Sequence, residues 1–325
     1  MSRKSWANFL SRFGPLLGLV VVYAIFVFMV IIGRLGERFL SLDSLENIAR
    51  QTAVVGIAAL GMTLVIIGGG IDLSVGSIVA LSSVVVASRL EAGSVPIVAA
   101  GWGVLAGALC GLISGTIITR LKVVSFIVTL GMLGLVRGVA KGLAHDQKID
   151  APITWLNSLL AKLGPDQRWM LVPPGVWLLV ILALLTAGIL RYTKFGRHTI
   201  AVGSNEETAR LCGVPVDRVK LAMYTLCAGF AGVAGLMQFS RLTVGSPTEA
   251  AGLELNVIAA VVIGGGSLSG GEGSVLGTIV GALIMSVIKA GCIQMGLPTW
   301  VQEIVTGIII VLAVALDRMR HRWSE

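Results

Sequence analysis

The sequence predicts an all-α, polytopic membrane protein of roughly ten transmembrane helices, some of them broken or glycine-rich, with one short helix outside the bilayer. Three observations lead there. Of 325 residues, 55% are hydrophobic and 13% charged, with a mean hydropathy of +0.92, which is more apolar surface than a soluble core of this size can hide. The apolar residues gather in runs near the roughly 20 that a spanning helix needs. The 42 glycines fall at helix-packing spacings and in runs between apolar segments.

The apolar runs lie near 15–33, 50–68, 74–88, 95–119, 123–143, 173–190, 219–240, 254–266, 274–293 and 299–316. The first follows Arg3, Lys4 and Arg12; it is too long for a signal peptide and no small-residue cleavage site follows, so it reads as a retained signal anchor. Only 34–49, 144–172 and 191–218 could fold apart from the spans. They leave no room for a soluble catalytic domain, and residues 1–325 read as one transmembrane domain with an inner loop at 191–220 and an inner tail at 317–325.

A net charge of +8 could suggest nucleic acid, but the basic residues flank spans instead of forming a patch. With both ends inside, the inner side collects Arg120, Lys122, Arg191, Lys194, Arg197, Arg210, Arg218, Lys220, Arg318, Arg320 and Arg322 besides the N-terminal cations. Outer cations such as Arg34, Arg38, Lys148 and Arg168 sit among acids. This bias predicts cytoplasmic termini. Cys110, Cys212, Cys227 and Cys292 show no CxxC or Cys/His spacing and read as structural thiols, with no metal site.

Gly103, Gly107, Gly111 and Gly115 recur at every fourth residue, a spacing that lets helices approach closely. Gly134, Gly138 and Gly142 repeat it, as do Gly277 and Gly281. Gly68, Gly69 and Gly70 are consecutive, and each costs a helix about 1 kcal/mol relative to Ala. Asp72 and Ser74 then offer N-cap oxygens for a helix starting at Val75, so a broken helix is expected. Two readings of Asp72 stay open: a marker of the solute's route, as broken helices often are in transporters, or a plain helix cap at the inner surface.

Val262 through Ser267, with Gly264, Gly265 and Gly266, repeats the pattern and leads to Gly273-Ser274-Val275 as the first leads to Gly76-Ser77-Ile78. An internal duplication or chance in a glycine-rich chain would both produce this. Leu268-Ser269-Gly270-Gly271-Glu272 looks like an ATPase signature, but the phosphate-binding G-x-x-x-x-G-K-[ST] loop is missing.

In the inner loop, Ser204-Asn205-Glu206-Glu207 reads as a capping box, with Ser204 as N-cap and Glu207 reaching back. Thr208, Ala209, Arg210, Leu211 and Cys212 continue the helix, Gly213 ends it and Pro215 prevents continuation. A short helix, partly apolar and flanked by charge, suits docking in a partner's groove; lying on lipid headgroups is the other reading.

Three motifs in order carry a resemblance: Gly69 to Ser77, Gly203 to Val214, and Ser246-Pro247 followed by Glu254 to Gly265. Together, and over nearly the whole chain, they resemble the permease subunits of ribose-type ABC sugar importers. That resemblance implies a pair of permeases in a bacterial inner membrane, two ABC ATPase subunits below and a periplasmic sugar-binding protein above. It implies no cofactor on this chain, with ATP and Mg used by the partner ATPases. It also makes Ser204, Asn205, Glu206, Glu207, Ala209, Arg210, Leu211 and Gly213 the coupling helix, with Ala209 and Leu211 packing in the ATPase groove. The outer segments near 34–49, 144–172 and 242–253 would receive the binding protein.

Gly68, Gly69, Gly70, Asp72, Ser74, Asn256, Gly264 and Gly265 are the candidates for path or hinge. An uncharged polyol needs hydrogen-bond partners held weakly enough to release it, so Asn256, Gln238, Thr129, Ser125 and Thr63 are the in-span polar groups of interest, although hydroxyls also bond harmlessly to helix carbonyls. Arg137, Lys141, Lys289 and Glu303 are ionisable groups in or near spans and need pairing or snorkelling. Arg137 sits deepest and calls for a carboxylate or several carbonyls. An ion-gradient transporter using Asp72, Glu254 or Glu303 is the rival class; an embedded enzyme lacks any supporting motif. Related permeases carry amino acids, nucleosides or a furanose signal, so the fold does not choose the cargo.

Overall fold

A computed structural model describes residues 3–33 and 36–322. Among these residues thirteen α-helices follow one another: α1 (Arg3–Ile31), α2 (Leu42–Ile67), α3 (Val75–Glu91), α4 (Pro96–Leu121), α5 (Ser125–Leu143), α6 (Trp155–Ser158), α7 (Pro174–Tyr192), α8 (Lys194–Ser204), α9 (Glu206–Leu211), α10 (Val216–Leu242), α11 (Leu253–Ile263), α12 (Val275–Gln294) and α13 (Thr299–Arg322). β1 (Ile149–Asp150) and β2 (Val244–Gly245) form one antiparallel pair.

The apolar runs and the helices coincide closely, and the expected helical membrane protein is what forms. The count differs. Among the described residues seven helices are long and apolar enough to cross a membrane, while α11 and the apolar part of α13 are shorter. α3 has 17 residues and α11 has 11; both begin inside the bundle after an irregular segment, so neither needs full length. The expected outer segment 34–49 is also shorter, because Ser41 accepts from the Ser44 amide and starts α2 at Leu42.

α2 is the central post, buried at every residue from Gln51 to Gly68. A helix that is apolar all round belongs in an interior, and α3, α7, α10 and α12 surround it. The stripe on α4 makes the close approach that its spacing predicts. A Cβ on Gly107 would lie 2.6 Å from the Ala228 carbonyl of α10, and one on Gly232 of α10 would lie 2.9 Å from the Val104 Cα. Gly235 brings α10 onto Ser82 and Val79 of α3, where the Ser82 hydroxyl donates to the Gly232 carbonyl at 2.8 Å. α3, α4 and α10 are thereby locked together. Gly134, Gly138 and Gly142 of α5 differ: a Cβ there meets nothing within 4 Å, so that face packs on no part of the described chain.

α1 lies to one side, joined to α12 and the start of α2 by an apolar cluster that includes Phe26, Phe39, Ile48 and Ile284. Chain order puts the exposed Trp102, Trp155, Trp169, Trp177 and Trp300 at the end that carries β1 and β2, as an interfacial aromatic belt requires. α8 and α9 lie at the opposite end.

Candidate functional site

α2 ends at Gly68, where the Gly69 amide donates to Ile66 and the Gly70 amide to Val65, both at 2.9 Å. Gly69 has φ +77, so this is a helix stop of Schellman type, which favours glycine. The second glycine run repeats it: Gly265 donates to Val262 and Gly266 to Val261, again at 2.9 Å, with Gly265 at φ +89. The two runs thus share a turn geometry as well as a pattern. Gly70 leaves room for the Tyr224 hydroxyl and Gly68 for the Met223 sulfur, while Gly264 lets α11 touch the backbone of Gly277 in α12.

Past the first turn the chain re-enters the core. Asp72 is completely buried and is no surface cap. Its Oδ1 accepts from the Ser74 amide at 2.9 Å and from the Ser74 hydroxyl at 2.5 Å, while Oδ2 has no hydrogen-bond partner. Ser74, expected to cap α3, is itself helical (φ −79, ψ −8) and makes no side-chain cap bond, so Asp72 alone supplies the capping oxygen. The Thr129 hydroxyl of α5 donates to the Ile71 carbonyl at 3.3 Å, and Ser125 interacts with the Tyr224 hydroxyl. Thr63 and Thr278 share a buried hydrogen bond of 2.8 Å between α2 and α12.

The short helix of the 191–220 loop forms as α9, with a changed N-terminus. Ser204 is the last residue of α8, its hydroxyl donating to the Ile200 carbonyl at 2.9 Å. Asn205, extended at φ −162, is the N-cap and accepts from the Thr208 amide at 2.8 Å. A residue finishing one helix cannot adopt the extended backbone that a cap needs, so the expected Ser204–Glu207 box gives way to Asn205. Gly213 closes the helix at φ +81, and the Val214 amide donates to Ala209 at 3.0 Å.

On α9, Glu206 pairs with Arg210 at 3.4 Å and with Lys220, and Arg210 pairs with Asp217 at 3.1 Å. The Asp217 hydrogen bond and charge push the exposed Arg210 guanidinium above its ordinary pKa. Leu211 is 84% exposed while Ala209 is buried against the chain itself. Of the two side chains expected to pack on a partner, Leu211 alone points outward.

The root of α9 rests on the first glycine turn and on the turn that follows the second, which the sequence did not reveal. A Cβ on Gly203 would collide with the Ile67 carbonyl and come within 2.7 Å of the Gly271 amide, and that amide donates to Ile67 at 2.8 Å. Gly270 faces the Gly203 carbonyl and the Gly69 Cα at 2.5 and 2.9 Å from a Cβ position. The Leu268–Glu272 run is therefore the turn, with Gly270 and Gly271 at φ +86 and +79, that holds the end of α8.

Other candidates lie apart. Asn256, half-buried, donates to the Gly252 carbonyl of its own turn at 3.3 Å, and Gln238 is buried in α10. Arg137 donates to the carbonyls of Pro247 at 2.8 Å and Glu249 at 2.7 Å, which supplies the partners its depth requires. Lys141 pairs with Asp146 at 3.8 Å, and Lys289 and Glu303 are exposed. Cys110, Cys227 and Cys292 are buried free thiols and Cys212 is exposed.

Residues 44–314 match the family described as "Branched-chain amino acid transport system / permease component". The chain is 38% identical over 298 residues to the ribose import permease protein RbsC of Escherichia coli (strain K12), covering 92% of each. It is 38% identical to RbsC of Bacillus subtilis (strain 168) over 312 residues, covering 96% of this chain and 94% of that protein. It is also 38% identical to the fructose import permease protein FrcC of Rhizobium meliloti, covering 92% of this chain and 84% of that one. No solved structure matches.

Proposed function

This chain belongs to the branched-chain amino acid transport system permease-component family, and from that premise we propose that it is the sugar-translocating subunit of an ATP-binding cassette importer. It is a multi-pass permease and not an enzyme. The cargo is a monosaccharide of the ribose kind, in keeping with relatives named for ribose and fructose import. Separate ATPase subunits hydrolyse ATP with Mg, a periplasmic binding protein delivers the sugar, and a second permease copy completes the path. Residues 1–325 act as one domain in the inner membrane, with both termini and the α8–α9 end in the cytoplasm.

The observation that carries this reading is the packing of Gly203 against the hydrogen-bonded Ile67 carbonyl and Gly271 amide. A helix exposing Leu211, Glu207 and Arg210 is rooted directly on the turns that interrupt the spans. A force on α9 reaches α2 and α12 through backbone contacts without a compliant side chain between. An ion-gradient carrier has no need of such a projection. Ile71, Asp72, Thr129 and Thr63 then line or support the path, with Gly69 and Gly265 as hinge positions.

The test is uptake of labelled ribose into proteoliposomes that hold this chain, its ATPase subunits and the binding protein. Uptake that requires all three and ATP is expected. Uptake by the chain alone, driven by a proton or sodium gradient, would overturn the reading.

A further inference from the structure

α3 and α11 begin inside the bundle, and their N-terminal ends meet. The Ser77 hydroxyl donates to the Leu133 carbonyl at 2.8 Å, which sets the first turn of α3 midway along α5. The segment between α10 and α11 reaches nearly the same level, since Arg137 of α5 holds the carbonyls of Pro247 and Glu249. Where the two helices meet, Glu254 in the first turn of α11 lays its carboxylate over Gly76 in the first turn of α3. A Cβ on Gly76 would run into that carboxylate and come within 2.6 Å of the Ala250 carbonyl.

Glu254 is held by one oxygen only. Its Oε1 accepts from the Gly252 amide at 3.2 Å, while Oε2 is buried with no hydrogen-bond partner. Helix N-termini carry partial positive charge and favour a carboxylate, so the position suits both helices. Buried acceptors are nevertheless normally paired. Arg137 is near enough that its charge and that of Glu254 act on each other, but its Nη1 is committed to the two loop carbonyls.

The surroundings say which part can move. α3 is locked to α4 and α10 through Gly103, Gly232 and Gly235. α11 rests mainly on α12 and α2 and touches α3 only slightly. The segment leading into α11 turns on two left-handed residues, Ala250 at φ +58 and Gly252 at φ +76.

We propose that Glu254 is a positioning residue of a gate midway along the path. In the state described here Arg137 holds the Ser246–Gly252 segment against α5, and the Glu254 carboxylate lies on the first turn of α3. In the alternate state α11 and the segment leave α3, and Arg137 exchanges the two carbonyls for the free oxygen of Glu254. The gate rests on the importer reading, and Gly76 is the residue that lets it shut.

The experiment uses the full importer in proteoliposomes, with Cys212→Ser removing the exposed thiol and Ala250→Cys or, in a second variant, Thr248→Cys as reporter. Labelling by a small methanethiosulfonate is timed without nucleotide and with ATP plus vanadate. The expected result is a change of about tenfold or more between the two conditions, abolished by Glu254→Gln and by Arg137→Gln while binding-protein affinity for sugar stays unchanged. Equal labelling rates in both conditions for both reporters, in a complex whose ATP-driven uptake is intact, would overturn the gate and leave the importer reading standing. A complex without ATP-driven uptake would instead overturn the importer reading and the gate with it.

Discussion

Gly203 meets the carbonyl of Ile67 so closely that a single added carbon has no space, and the Gly271 amide bonded to that carbonyl crowds the same position. Three chain segments far apart in sequence share this point: the end of α2, the end of α8 and the turn before α12. The contact is backbone on backbone, so it transmits displacement without the slack of rotamers.

Gly203→Ala should therefore separate folding from transport. Neither neighbour can give way as a flexible side chain would, and the end of α8 must shift. ATP-driven uptake should fall by about tenfold or more, in line with an overpacking strain of 1–3 kcal/mol, while membrane insertion persists. Gly101→Ala on α4, where a Cβ meets nothing within 4 Å, is the control and should transport normally.

The cap of α9 is tested by two neighbouring substitutions. Asn205→Ala removes the acceptor of the Thr208 amide, a loss of about 1 kcal/mol, and exchange of that amide should speed up by about fivefold. Ser204→Ala removes only a hydroxyl that bonds within α8, so the same amide should exchange as in the parent.

Leu211 is the exposed apolar group on α9 and the expected contact with the ATPase. Leu211→Ser should weaken transport-linked ATP hydrolysis by about tenfold, the scale of one interface anchor, without altering thermal stability. Ala209→Pro should abolish it altogether, because proline breaks the helix that presents Leu211. Unchanged ATPase stimulation in the proline variant would remove the docking role.

Asp72 holds the amide and hydroxyl of Ser74 in a fully buried turn. Asp72→Ala strands both donors and should destabilise the protein by about 1–3 kcal/mol, read as a lower midpoint of thermal unfolding in detergent. Asp72→Asn keeps an acceptor oxygen at the same place and should recover most of that loss with ATP-driven uptake preserved. Loss of uptake in a stable Asn variant would point to a role for the carboxylate charge.

The spans were legible because hydropathy is summed over whole runs, and Gly103 through Gly115 announced a close helix approach that α4 and α10 make. Depth was not legible. Nothing in the composition of 253–263 says that α11 starts inside the bundle, since that follows from Arg137 binding the carbonyls of Pro247 and Glu249. Ser204 and Asn205 are both capable caps, and the choice between them depends on how far α8 continues. Ala209 and Leu211 are both apolar, and only the packing of α9 against the chain turns one inward. Gly203 and Gly271 were visible as glycines, but a glycine reveals that something comes near and not what.

The α4 seam has a bearing on how this polypeptide can evolve. At Gly107, Gly111 and Gly115 the neighbours include backbone atoms of α10, so no drift elsewhere compensates for a larger residue there. A survey of tolerated replacements would trace a ladder of forbidden rungs up one side of α4. Whatever else such a chain varies, that side of α4 is fixed by the thickness of a neighbouring peptide backbone.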